Sequence, residues 1–98
     1  MVVFVDIDET ICSTPEGVSR DYSLSIPIQE NIDKINRMYD SGDTIIYWTA
    51  RGSRSGINWL SLTKSQLAAW GCKHHGVRCD KPYFDKLIDD RTIRIEEC

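Results

Sequence analysis

Val2-Val3-Phe4-Val5 is an unbroken run of β-branched and aromatic residues that stops at a carboxylate, Asp6. A strand with one solvated face alternates apolar and polar residues, whereas a strand without alternation needs cover on both faces, as in a parallel sheet. The run, continued through Ile7, predicts a first strand at the centre of an α/β sheet. Ile28, Ile32, Ile35 and Met38 or Tyr39 then recur at spacings of three and four, after Pro27 and before Asp40-Ser41-Gly42. That is an amphipathic helix of about three turns. Residues 44–49 are β-branched and aromatic and predict a second strand, which ends in the polar turn Thr49-Ala50-Arg51-Gly52. A helix over 63–70 stops at Gly71. Short strands near 76–79, 86–89 and 92–96 bring the expected total to about five. Residues 9–26 have no helical period, and Ser13-Thr14-Pro15-Glu16-Gly17 is a turn cluster, so this region reads as a hairpin flap over the end of the first strand.

With 98 residues the chain can bury one core, so a single domain over 1–98 must also carry any active site. Its 41% apolar and 28% charged content is that of a globular protein. A net charge of -3 supplies no basic field for a nucleic-acid backbone, which argues against nucleic acid as a partner. The Val2 to Val5 run is too short for a signal core, and no segment approaches the roughly 20 apolar residues of a membrane span. No membrane association and a cytoplasmic location are expected. Cys12, Cys72, Cys79 and Cys98 are then expected as reduced thiols. Cys72, His74, His75 and Cys79 include the right atoms for zinc but lack a Cys-x-x-Cys knuckle, and the stretch reads as a loop into a strand.

Asp6 and Asp8 are two residues apart, and side chains alternate along a strand, so both carboxylates can project the same way. Asp-x-Asp-x-Thr by itself is often a turn or a cap. A second acidic pair, Asp89-Asp90, follows the apolar Leu87-Ile88 and suggests another acidic strand end. In a parallel sheet such ends share one edge, and the crevice where the strand order reverses is the usual ligand site. Hard cations such as magnesium take one or two carboxylates with water and phosphate oxygens.

In order along the chain, Val2-Val3-Phe4-Val5-Asp6-Ile7-Asp8-Glu9-Thr10, Ile45-Ile46-Tyr47-Trp48-Thr49, Lys81-Pro82 and Leu87-Ile88-Asp89-Asp90 resemble the four motifs of the haloacid dehalogenase superfamily. Trp48-Thr49-Ala50-Arg51-Gly52, Lys81-Pro82-Tyr83-Phe84-Asp85 and Ile88-Asp89-Asp90-Arg91-Thr92-Ile93-Arg94 are similar to phrases of its small capsule and polysaccharide biosynthesis phosphatases. The resemblance implies a three-layer, Rossmann-like α/β fold. Its mostly parallel sheet would have about five strands in the order 5-4-1-2-3, and residues 9–26 and 51–61 leave no room for a cap domain. It also implies a magnesium-dependent phosphatase acting on a small phosphorylated metabolite, a sugar or polyol phosphate. In that reading Asp6 attacks phosphorus and Asp8 shuttles the proton, while Asp6, Asp8 and Asp89 hold Mg2+. Thr49, Ala50, Arg51 and Lys81 bind the phosphate, and Thr10 and Asp90 give support. Lys64 and Lys86 are the competing lysines for the role of Lys81. Arg51 can almost equally be paired at the surface, and Arg54 is a weaker candidate than Arg51. His74 and His75 lie outside the motifs, and Cys12 reads as packing. A nucleotide or polynucleotide-end phosphatase and a noncatalytic binding module are the alternative functions. An open site without a cap also suggests a homo-oligomer.

Overall fold

The computed structural model describes residues 1–16 and 20–98. Its elements are β1 (Val2–Val5), β2 (Cys12–Ser13), β3 (Ile26–Pro27), α1 (Gln29–Asp40), β4 (Thr44–Trp48), α2 (Leu60–Ala69) and β5 (Gly76–Arg78). Single 3-10 turns occupy Tyr22–Leu24 and Ile95–Glu97. The hairpin expected within 9–26 is the antiparallel pair β2–β3, with Cys12 opposite Pro27 and Ser13 opposite Ile26. Gly17, placed at the flap's turn by the sequence, lies outside the described residues with Val18 and Ser19.

α1 forms where the period of three and four predicts it. It buries Ile32 and Ile35 and ends at Ser41, whose hydroxyl donates to the Arg37 carbonyl at 2.9 Å. Gly42 then takes φ 102°, a left-handed conformation that turns the chain back towards the sheet. β4 alternates as a strand with one covered face should, and its Ile45 and Tyr47 are fully buried. Together with Val5, Ile7, Ile11, Ile32, Ile35 and Leu67 they form one continuous core.

The main sheet has three parallel strands in the order β1-β4-β5, paired Val2 to Thr44 through Val5 to Tyr47, and Ile46 to Gly76 through Trp48 to Arg78. The expected three-layer fold with about five strands in the order 5-4-1-2-3 is therefore overturned: among the described residues there are two α-helices, three parallel strands and a separate antiparallel pair. The reasons are physical. Leu87-Ile88 is a two-residue apolar run set among Asp85, Lys86, Asp89 and Asp90, and pairing it as a buried strand would desolvate those charges for very little apolar area. Ile88 is 93% exposed. Residues 92–96 alternate with Arg94 and Glu96, and instead of a strand they lead into the 3-10 turn Ile95–Glu97.

The first strand is also not central. β1 lies at an edge, with Val2 67% and Phe4 47% exposed. Because the strand order runs in one direction, right-handed crossovers through α1 and α2 bring both helices to the same face, where the single core lies. The order never reverses, so the crevice expected at a reversal does not exist in this sheet. What remains is a groove of about 1490 Å³ along β1, lined among others by Phe4, Asp6, Trp48, Lys81, Phe84 and Asp89.

Candidate active site

Past β1 the chain turns sharply. The Thr10 and Ile11 N–H groups donate to the Ile7 carbonyl at 3.1 and 2.9 Å, and Glu9 takes φ 62°, in the left-handed region. Its N–H donates to the Cys12 carbonyl at 2.8 Å, and its carboxylate accepts from the Thr14 N–H at 3.1 Å and from Arg20 at 3.0 Å. This turn gives the two expected carboxylates unequal surroundings.

Asp6 lines the groove. Its Oδ1 is 3.5 Å from Lys81 Nζ, and its Oδ2 accepts from the Thr10 hydroxyl at 3.4 Å. Thr10 is itself held, since its carbonyl accepts from Asn31 Nδ2 at 2.8 Å. Burial raises the Asp6 carboxyl above the ordinary value of 3.8, with the Lys81 charge pulling against that rise and the Asp8 charge adding to it. The Lys81 ammonium lies 5.5 Å from the ring centres of both Trp48 and Phe84, a cation–π cradle. Neither aromatic residue was expected at the site, although Trp48 precedes Thr49 and Phe84 follows Lys81 by three. Lys64 and Lys86 are both exposed.

Asp8 is enclosed. Arg51 forks onto it, Nε to Oδ2 at 3.0 Å and Nη2 to Oδ1 at 2.9 Å, and the Thr14 hydroxyl donates to Oδ1 at 2.6 Å. Burial alone would raise this carboxyl, but the hydrogen bonds from Arg51 and Thr14 outweigh it and hold Asp8 below the ordinary carboxylate range. The Arg51 side chain is 0% exposed. Its Nη1 donates to Thr63 Oγ1 at 3.1 Å and Gln66 Oε1 at 2.6 Å, its Nη2 also reaches Ser25 Oγ at 3.3 Å, and its guanidinium covers the Tyr22 ring at 4.6 Å. The sequence offers Arg51 as a phosphate clamp or a surface ion pair, and the structure places it instead in an internal ion pair. Thr63 and Gln66 are three apart on α2 and so share a face. That contact is why the buried side of this helix is part polar.

The Thr49 side chain is 1% exposed, and its Oγ1 accepts from the Arg51 N–H at 3.1 Å, which closes the turn after β4. Ala50 is half-buried within the same turn. The turn depends on Gly52, at φ 85°, where a Cβ would collide with the Ile57 carbonyl oxygen. Gly52→Ala is expected to cost about 1–2 kcal/mol or more, measured by urea denaturation, since it combines left-handed strain with a backbone clash.

Asp89 lines the groove but is solvent-exposed, with its Oδ1 accepting from the Arg91 N–H at 3.0 Å, a bond that lowers its carboxyl pKa. Asp90 is exposed and lies 3.9 Å from Arg91. Among the described residues no three His, Cys, Asp or Glu side chains converge as a metal cluster. The donor chemistry of Asp6 and Asp89 nevertheless fits magnesium, which needs only one or two carboxylates beside water and substrate oxygens. The Asp8 carboxylate fits less well because both of its oxygens are committed, which leaves its main-chain carbonyl.

The stretch from Cys72 to Cys79 is occupied otherwise. His75 Nδ1 accepts from the Ile45 N–H at 3.0 Å while its ring stacks on Tyr39, and His74 Nδ1 pairs with the Cys72 carbonyl at 2.8 Å. Burial pushes the Cys12 and Cys72 thiols up to about 11 each. A thiol reagent at pH 8 is expected to label the exposed Cys98 in the native protein, with Cys12 and Cys72 reacting only in denaturant; mass spectrometry of the labelled chain checks this.

The fold and site thus define an α/β domain with a carboxylate–lysine pair at the carboxyl end of its first strand. No family model matches the chain, and no curated protein matches it. The crystal structure of a structural-genomics target from Vibrio cholerae is similar in fold, with a TM-score of 0.84 at 23% identity over 98% of this chain and 85% of that one. At that identity the likeness speaks for the fold alone. No helix is long and apolar enough to cross a membrane among the described residues.

Proposed function

We propose that this chain is a magnesium-dependent phosphomonoesterase acting on a small phosphorylated metabolite, a sugar or polyol phosphate, through an aspartyl-phosphate on Asp6. The observation that carries the reading is the Asp6–Lys81 pair, held at 3.5 Å on the wall of an open groove at the end of β1. The ordered motifs noted in the sequence support it.

In the first step an Asp6 oxygen attacks phosphorus and the phosphorus–oxygen bond to the leaving alcohol breaks, with the alcohol's proton coming from Asp8 in the minor fraction of chains in which that carboxyl is protonated. In the second, water attacks the aspartyl-phosphate, Asp8 takes its proton, and inorganic phosphate leaves with the Asp6 carboxylate restored. Lys81 offsets the negative charge on Asp6 and the phosphoryl group. Bound magnesium, held by Asp6, the Asp8 main chain and Asp89, would neutralise phosphoryl oxygens and lower the barrier to attack.

Hydrolysis of p-nitrophenyl phosphate with magnesium, with chelator and in Asp6→Asn tests the reading. Turnover that ignores the chelator, or full activity in the variant, sinks it. Sugar phosphates, polyol phosphates, nucleotides and phosphorylated oligonucleotides, compared by kcat/KM, then sort the substrate class.

A further inference from the structure

An arginine near a phosphate site is ordinarily a candidate to hold the phosphate, yet the guanidinium of Arg51 has nothing left to offer. Its five N–H groups face Asp8 twice, Ser25, Thr63 and Gln66. The acceptors belong to three different parts of the chain: the turn after β1, the segment that leads into β3, and α2. Two further bonds close the circuit. Thr14 and Ser25 share a hydroxyl contact at 2.6 Å across the hairpin, and Gln66 Nε2 donates to the Tyr22 carbonyl at 2.6 Å. The Tyr22 ring packs edge-on against Trp59, just before α2.

Resting on the phosphatase reading above, we propose that Arg51 is a positioning residue: it fixes the Asp8 carboxylate and ties it to the β2–β3 hairpin, so that seating the hairpin and aiming Asp8 are one event. Thr14 and Ser25 are the hairpin's hands on this arrangement. Thr14 holds Asp8 Oδ1 directly, and Ser25 holds both Thr14 and the guanidinium. Lifting the hairpin removes both hydroxyls and leaves Asp8 held by the Arg51 fork alone.

Two measurements on the intact chain test this. In hydrogen exchange read by mass spectrometry, Ser25→Ala and Arg51→Lys should speed exchange of the hairpin peptides by about tenfold or more, while α1 and β4 peptides keep the wild-type rate. In turnover, phenyl phosphate has a leaving group that needs a proton and p-nitrophenyl phosphate does not. Arg51→Lys should lower kcat for phenyl phosphate by about 10²-fold and for p-nitrophenyl phosphate far less. KM should move less than about threefold for either, since Arg51 makes no substrate contact. Unchanged exchange in the hairpin overturns the coupling. A tenfold rise in KM at constant kcat overturns the positioning role and makes Arg51 a phosphate ligand. If the wild type hydrolyses neither ester but the exchange pattern appears, the phosphatase reading fails and the tie between Asp8 and the hairpin stands. Ser25→Ala carries the test should the Arg51 variant not fold.

Discussion

Asp6→Asn is expected to lose at least about 10³-fold in phosphatase kcat, as removal of a covalent nucleophile does, and yet to melt at a higher temperature than the wild type at pH 7. The two effects share one cause. Burial holds the Asp6 carboxyl above its ordinary 3.8 even with Lys81 beside it, so ionising it is harder in the folded chain than in the unfolded one. A carboxyl with a raised folded value stabilises the fold fully below 3.8, and that stability is lost as the pH rises through the folded value. At pH 7 the wild type has lost it. Asparagine has no such ionisation, so the gap between variant and wild type should open above the raised value and close in acid. The side chain is 39% exposed, and solvent screening keeps the gap small. Differential scanning calorimetry at pH 7 and pH 3 reads it. A variant that melts lower at pH 7 would show that the pair with Lys81 outweighs the burial.

Arg51→Met should be the most destabilising substitution in the molecule. It strips a carboxylate only 14% exposed of two charge-assisted hydrogen bonds and leaves it enclosed without its counter-charge. Breaking a buried pair from one side costs about 3–5 kcal/mol. In a domain of this size that lowers Tm by more than about 12 °C. Asp8→Asn alone should be comparably costly, because it abandons a fully buried guanidinium. The double variant should recover much of the loss, and urea denaturation of all four proteins gives the coupling. The pH dependence runs opposite to that of Asp6. Asp8 is held below the ordinary range, so the fork contributes above pH 3.8 and its contribution is lost as the pH falls through the depressed value. The penalty of Arg51→Met should shrink accordingly in acid, and a penalty constant from pH 7 to pH 3 would assign the stability to packing around the side chain.

How far the chain could be read without its structure differs from element to element. α1 and β4 were legible because each carries its own local signal, isoleucines at three and four in one and a run of β-branched and aromatic residues in the other. β1 was legible as a strand but not in its place. An unbroken apolar run asks for cover on both faces, while the number of neighbours a strand acquires depends on segments far along the chain, here on whether Leu87-Ile88 could afford to leave water. At the site, Asp6 and Lys81 could be named because each belongs to a recognisable phrase. The surroundings of Asp8 could not. Thr63 and Gln66 reach Arg51 only once α2 is rotated against the turn after β4, and Ser25 and Tyr22 reach it only once the hairpin is folded back. Arg51 looked suited to clamping phosphate or to pairing at the surface, and its complete burial fits neither use.

The single direction of the strand order has a consequence for how the molecule comes into being. A sheet that grows β1, then β4, then β5 at one edge can be laid down in the order of synthesis, each new strand docking on the one before it without waiting for a later partner to slip between. Asp8, Arg51 and α2 are all emitted before residue 78, so the internal ion pair can close on a nascent chain while Lys81 is still inside the ribosome. The protein would assemble its scaffold first and receive Lys81 afterwards, leaving Asp6 without its lysine until the fold around it is set.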